Sequence, residues 1–156
     1  MKKIIMLLTC YLFSAASLAN NGISETLDNF HRAAADADLE RYIGLFADNA
    51  VFLGTDPSER WTKAEFQKFV EPHFNKGNGW LYIAIKRNIT LNEQNNMAFF
   101  DEQLKNENYG ICRGTGVLVK TEQGWKIAQY NLSISIPNAI TVDVVKQIEK
   151  YNQSHE

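Results

Sequence analysis

Cysteine, proline and histidine are scarce in this chain, and each scarcity removes a class of explanation. The 156 residues include 2 cysteines, 3 prolines and 3 histidines. Cys10 lies in an N-terminal leader, so the mature chain keeps only Cys112, and no intramolecular disulfide holds it together. Between Ile111 and Arg113 on an expected strand, Cys112 reads as a buried, inert thiol rather than a reactive one. His31, His73 and His155 have no ligand spacing such as HxxxH, which argues against a metal. No cofactor is implied either, since the chain has no phosphate-cradling glycine loop, nucleophile elbow or Cys–His constellation. Positive charge is also short, with 16 Lys and Arg against 18 Asp and Glu. An acidic domain without a basic stripe argues against nucleic acid as a partner.

Long apolar runs are absent as well. The only candidate is Ile4–Phe13, which follows Lys2 and Lys3 and leads into Ser14-Ala-Ala-Ser-Leu-Ala19. That run falls well short of the roughly 20 residues a spanning helix needs. A basic start, a short apolar core and small residues at Ser17 and Ala19 make residues 1–19 a secretory signal peptide. Leu7-Leu8-Thr9 lacks the small residue that precedes a lipidated cysteine, so Cys10 is not read as a lipid anchor. Cleavage before Asn20 gives a periplasmic or secreted protein with no membrane attachment. Losing Lys2 and Lys3 from 16 basic residues leaves 14 against 18 acidic ones, a net charge of −4. Residues 20–156 are enough for a single domain with a real core.

What is present is a run of helices followed by a run of strands. Leu27, Phe30, Ala34 and Ala37 share one face of a helix opened by Ser24, and Leu39, Tyr42, Ile43 and Phe46 mark a second, short helix. A strand, Ala50–Gly54, follows the turn at Asp48-Asn49. Thr62 and Glu65 form a capping box for a third helix that Pro72 and Gly77 are expected to close. Trp80–Leu91 and Met97–Leu104 alternate as strands, and Ile140, Val144, Ile148 and Tyr151 mark an amphipathic C-terminal helix. Helices first and strands after predict an α+β domain whose helices cover one face of an antiparallel sheet.

The last two strands form a hairpin, Tyr109–Pro137, turning at Glu122-Gln123-Gly124 with Gly124 in the left-handed region. The predicted register pairs Thr121 with Trp125, Val119 with Ile127, Val117 with Gln129, Thr115 with Asn131 and Arg113 with Ser133. One face then runs from apolar (Val117, Val119, Trp125, Ile127) to polar (Arg113, Thr115, Gln129, Asn131), as a pocket wall would. Arg113 needs an anionic partner, either Asp101 or a ligand carboxylate or phosphate. Gln129 and Asn131 could orient a ligand or hydrogen-bond each other. Adjacent strand residues face opposite ways, so only one of Asp101 and Glu102 can line the pocket. Asp101 shares a face with Met97 and Phe99 and is the candidate catalytic base, or else the internal partner of Arg113 or a solvated rim charge. Trp61 either packs under the third helix or forms a ligand-facing wall. On the other hairpin face, Tyr130, Leu132, Ile134 and Ile136 oppose Gly110, Cys112, Gly114 and Gly116. So apolar a face is expected to be covered, by a second subunit or by the C-terminal helix.

The stretches His31–Asp38, Leu45–Asp56 (LFADNAVFLGTD), Glu59–Thr62, Gly124–Ile127 and Asn131–Ser133 resemble the SnoaL-like branch of the NTF2-like superfamily. The resemblance spans nearly the whole mature chain. It implies a cone: a strongly curved antiparallel sheet wrapped around three N-terminal helices, with a pocket at the open end and often a homodimer through the sheet. It also implies that Asn131 lines the pocket. It does not imply one reaction. Aligned with ketosteroid isomerases of that superfamily, Phe30 falls where those enzymes carry their oxyanion-hole tyrosine and Gly54 where they carry the aspartate base, so that chemistry is not implied. Phe30 is retained as a ligand-facing wall. The expectation is an exported domain binding a small, partly apolar molecule, with proton-transfer (isomerase- or lyase-like) chemistry based on Asp101. The alternative is a non-catalytic dimeric binding module whose polar cluster is internally satisfied.

Overall fold

The computed structural model describes residues 22–155, and the expected leader, residues 1–19, lies outside the described residues. Helix α1 covers residues 22–35. Its buried face carries Ile23, Leu27, Phe30, Ala33 and Ala34 at helical spacing. Ala37 takes a left-handed φ of 54°, which ends α1, and Asp38 then caps α2 (Leu39–Gly44) through the Arg41 amide. Strand β1 (Phe46–Leu53) leads through a turn to the short β2 (Arg60–Thr62) and α3 (Lys63–Phe74). The predicted capping box is present at Thr62 and Glu65. However, α3 runs past Pro72 to Phe74, because Phe74 is buried against Tyr42 and Trp80 and anchors the last turn. The chain leaves that helix at Gly77, whose φ is +72°.

Strands β3 (Ile83–Leu91), β4 (Met97–Asn106), β5 (Gly110–Thr121) and β6 (Gly124–Ile134) follow as a meander. The six-stranded sheet has the order β2-β1-β6-β5-β4-β3 and stays open, with β2 and β3 as its edges. It is an α+β sheet with one departure from the expected topology: β1 and β6 pair in parallel. The helices cover one face, and the core forms between them and the inner side chains of β1, β4, β5 and β6. Aromatic residues dominate it. Phe52 stacks on Phe66 at 3.9 Å and Phe30 on Tyr42 at 4.7 Å. Each such ring contributes about 1.5–3 kcal/mol through burial.

The hairpin departs from the expected turn and register. Gly124 has the expected left-handed φ, at 101°, but it pairs directly with Thr121, so the connection is only Glu122-Gln123. Near the turn the register is therefore one residue off the expected one, with Lys120 opposite Trp125 and Leu118 opposite Ile127. A bulge at Ala128 then absorbs one residue, and the predicted pairs Val117–Gln129, Thr115–Asn131 and Arg113–Ser133 follow. The extra residue inverts the facing. Trp125 and Ile127 point inward before the bulge and Tyr130 and Leu132 after it, which turns Gln129 and Asn131 to the outer face. The Tyr130 face is covered, as expected, but by α1 of the same chain: Tyr130 is 1 % exposed and lies 4.8 Å from Phe30. A short 3₁₀ turn (Asn138–Ile140) and α4 (Thr141–Gln153) close the chain, and α4 buries none of its residues. Among the described residues no helix is long and apolar enough to cross a membrane.

Candidate functional site

Glu102 is the most unusual residue of the core. It lies on the inner face of β4 between Phe100 and Leu104, is 0 % exposed, and is a carboxylate. An unpaired buried charge would cost several kcal/mol, so its partners decide whether the fold tolerates it. It has three. His31 Nε2 lies 2.7 Å from Oε1, the Tyr130 hydroxyl donates to the same oxygen at 2.9 Å, and Arg87 Nε donates to Oε2 at 2.8 Å. Arg87 reaches on to Asp28 Oδ1 at 2.7 Å and the Ser24 carbonyl at 3.2 Å. Helix α1 is thereby tied through His31, Asp28 and Ser24 to strands β3, β4 and β6.

The network sets its own protonation. Burial alone would raise the Glu102 carboxyl, but the His31 hydrogen bond and the charges of His31 and Arg87 hold it below its ordinary 4.5. The Tyr130 phenol is pushed well above 10.0, first by burial and then by the Glu102 charge, so it stays a donor. In the neutral form of His31, a bond to ionised Glu102 places the ring proton on Nε2 and leaves Nδ1 without one. Gly114 makes the arrangement possible, since a Cβ there would collide with the Tyr130 hydroxyl and sit 3.0 Å from Glu102 Cγ.

His31 and Tyr130 also line a cavity of about 470 Å³ between α1, α3 and the inner sheet face. Phe30, Tyr42, Phe52 and Phe66 form its floor, and Trp61, Phe69 and Trp80 its outer wall. Trp61 stacks on Phe69 at 4.7 Å. Besides tyrosines, the polar wall groups are Thr55, His31, His73, Glu59, Glu107, Asn106 and Asn108. This is a largely aromatic-walled space with an imidazole on its wall, suited to holding a flat molecule while a proton moves. Among the described residues no three His, Cys, Asp or Glu side chains converge on a metal position.

Of the residues singled out from sequence, Phe30 and Trp61 line this cavity. Asp101, Arg113, Thr115, Gln129 and Asn131 do not. They stand on the outer face, where Asp101, Thr115 and Asn131 form one row across three strands. Asp101 is exposed and accepts from Asn88 Nδ2 at 2.9 Å, while Arg113 is exposed opposite Gln103 and Ser133. The expected pocket wall is thus corrected. On β4 the inward set is Ala98, Phe100, Glu102 and Leu104, and on β6 the Ala128 bulge swaps the faces. His31, Glu102 and Tyr130 were not singled out as a site. The one available signal was the pair of small residues Gly114 and Gly116, which leave room for large inward groups across the sheet. Cys112 is free and buried, and burial pushes its thiol up, consistent with an inert residue.

A family model described as a SnoaL-like domain matches residues 23–137. No curated protein matches the chain. Among solved structures, a candidate scytalone dehydratase from Novosphingobium aromaticivorans has a TM-score of 0.67 at 12% identity, covering 80% of this chain and 89% of its own. An NTF2-like protein of unknown function from Pseudomonas putida has a TM-score of 0.66 at 12% identity, covering 78% and 90%. A candidate aromatic ring hydroxylase from Novosphingobium aromaticivorans has a TM-score of 0.60 at 18% identity, covering 74% and 88%. At these identities the likeness establishes the fold and leaves the activity to the chemistry of the site.

Proposed function

The chain belongs to the SnoaL-like family, and from that premise we propose that it binds a small, ring-bearing, largely apolar molecule in the aromatic cavity and moves a proton on it through His31. The observation that carries this reading is the buried Glu102 clamped to His31 at 2.7 Å on the cavity wall. A carboxylate at one ring nitrogen orients the imidazole and leaves the other nitrogen for the substrate. The aromatic walls exclude water and hold a flat substrate by stacking. The scytalone dehydratase and ring hydroxylase descriptions of two structural neighbours are compatible with a cyclic substrate.

The test uses 5-nitrobenzisoxazole, a flat probe whose ring opens when a base removes its carbon-bound proton. The wild type should accelerate opening beyond free imidazole at equal concentration, and His31→Ala should abolish the excess. Saturable probe binding without acceleration would replace this reading with a non-catalytic binding module.

Two wider features belong to the same proposal. The outer sheet face exposes Ile85, Met97 and Phe99 at 56%, 43% and 58%, around the polar row of Asp101, Thr115 and Asn131. Such a surface suits a second copy of the chain, packed sheet to sheet. The leader read in residues 1–19 makes the protein an exported one, so mass analysis of chain recovered from a bacterial periplasm should find Asn20 at its N-terminus.

A further inference from the structure

Glu59 is held in the cavity wall by a turn built for it. The Gly54 amide donates to the Glu59 carbonyl at 2.9 Å, and the Glu59 amide donates to the Asp56 carbonyl at 3.0 Å. The Asp56 amide donates to Glu59 Oε2 at 3.1 Å, while Ser58 closes the turn by donating to Asp56 Oδ1. The carboxylate folds back over Gly54, and a Cβ added there would collide with Glu59 Oε2 and stand 2.9 Å from Glu59 Cβ. Glycine at position 54 is therefore what lets this carboxylate occupy the wall.

The surroundings lack a matching charge. Glu102 is balanced by Arg87 in the core, whereas Glu59 and Glu107 line the cavity with no lysine or arginine among its described wall residues. The basic groups there are His31, already engaged by Glu102, and His73. Trp61 and Phe69, stacked at 4.7 Å, line the same cavity, with Trp80 at 6.2 Å from Phe69. Ring faces attract cations, and partial burial strengthens the pull of a nearby carboxylate. An anionic ligand would meet two carboxylates and negative ring faces.

We propose that the cavity selects a ligand carrying a positively charged nitrogen on its ring system, with Glu59 and the Trp61–Phe69 wall as the charge-determining subsite. This inference rests on the cavity being the ligand site, and its test separates the two claims. Three probes share one ring: 2-naphthylmethylamine as cation, 2-naphthylmethanol as neutral form and 2-naphthoate as anion, each titrated into the full chain by calorimetry. The amine should bind about tenfold more tightly than the alcohol, and the carboxylate most weakly. Glu59→Gln keeps an acceptor for the Asp56 amide and should bring the amine down to the alcohol while leaving the alcohol unchanged. Gly54→Ala keeps the carboxylate but displaces it, and should reproduce that loss. Unfolding monitored by circular dichroism confirms that both variants are folded. Equal wild-type affinity for amine and alcohol, or an amine preference that survives Glu59→Gln, overturns the charge selectivity and leaves the cavity as a ligand site. Failure of all three probes to bind overturns both.

Discussion

Replacing Glu102 by glutamine probes the centre of the molecule with almost no change in shape. The glutamine carbonyl can still accept from His31 and Tyr130, but its amide nitrogen then faces Arg87 as a donor, so at least one of His31, Tyr130 and Arg87 loses its partner. Arg87 fares worst. It would keep Asp28, whose side chain is 57% exposed, while Arg87 itself is only 11% exposed and its Nη2 has no partner among the described residues even in the wild type. Removing one partner of a buried charge pair costs about 3–5 kcal/mol. That is a large share of the roughly 5–15 kcal/mol that stabilises a domain. For a chain of this length about 1 kcal/mol corresponds to about 3–4 °C, so the melting temperature should fall by roughly 10–20 °C near neutral pH.

The pH dependence gives the sharper reading. The folded Glu102 carboxyl titrates below its ordinary 4.5. A lowered folded pKa adds stability that is complete above the unfolded value and disappears as pH falls through the folded one. The gap between wild type and Glu102→Gln should therefore be constant from neutral down to mildly acidic pH and narrow below about 4.5. Paired thermal melts across that range measure it. A variant as stable as the wild type at neutral pH, or a gap that persists unchanged in acid, refutes the claim that the ionised carboxylate holds α1 to the sheet.

Other consequences are simpler to check. Gly114→Ala drives a methyl into the Tyr130 hydroxyl beside Glu102; chemical denaturation should show a loss of about 1–3 kcal/mol. Thr62→Ala removes the acceptor for the Glu65 amide at the start of α3 and should cost about 1 kcal/mol by the same measurement, with ligand binding unaffected. Phe99→Glu places a charge beside Val117 on the outer sheet face. Light scattering should find the wild type dimeric and this variant monomeric; a monomeric wild type removes the sheet-to-sheet proposal.

How legible all this was from sequence varied with the range of the interaction. The capping box at Thr62 and Glu65, the core face of α1 and the left-handed Gly124 are local, and each was readable from spacing and residue type. The parallel β1–β6 pairing joins residues about eighty positions apart and leaves no local mark. The inner face of β4 was ambiguous for a physical reason. Met97-Ala-Phe-Phe100 is apolar on both sides, and Asp101-Glu102 places one acid on each, so hydrophobic alternation could not choose between them. Ala128 carries no bulge signature, yet it decides that Asn131 faces out and Tyr130 in. Phe30 and Trp61, two of the candidates from sequence, line the cavity, Trp61 while also packing on Phe66 and Phe69 of α3, but the acid–base pair was not legible. His31 and Glu102 lie 71 positions apart, and only the folded sheet brings them together.

The central claim, that His31 presents a proton-accepting nitrogen to the cavity while Glu102 holds the other, is most directly tested by nitrogen-15 NMR of the histidine rings. At alkaline pH the His31 ring should carry its proton on Nε2, and adding 2-naphthylmethanol should shift its Nδ1 resonance while His155, in the C-terminal tail, stays still. A proton on Nδ1, or a His31 ring that does not respond to a ligand bound in the cavity, contradicts the account.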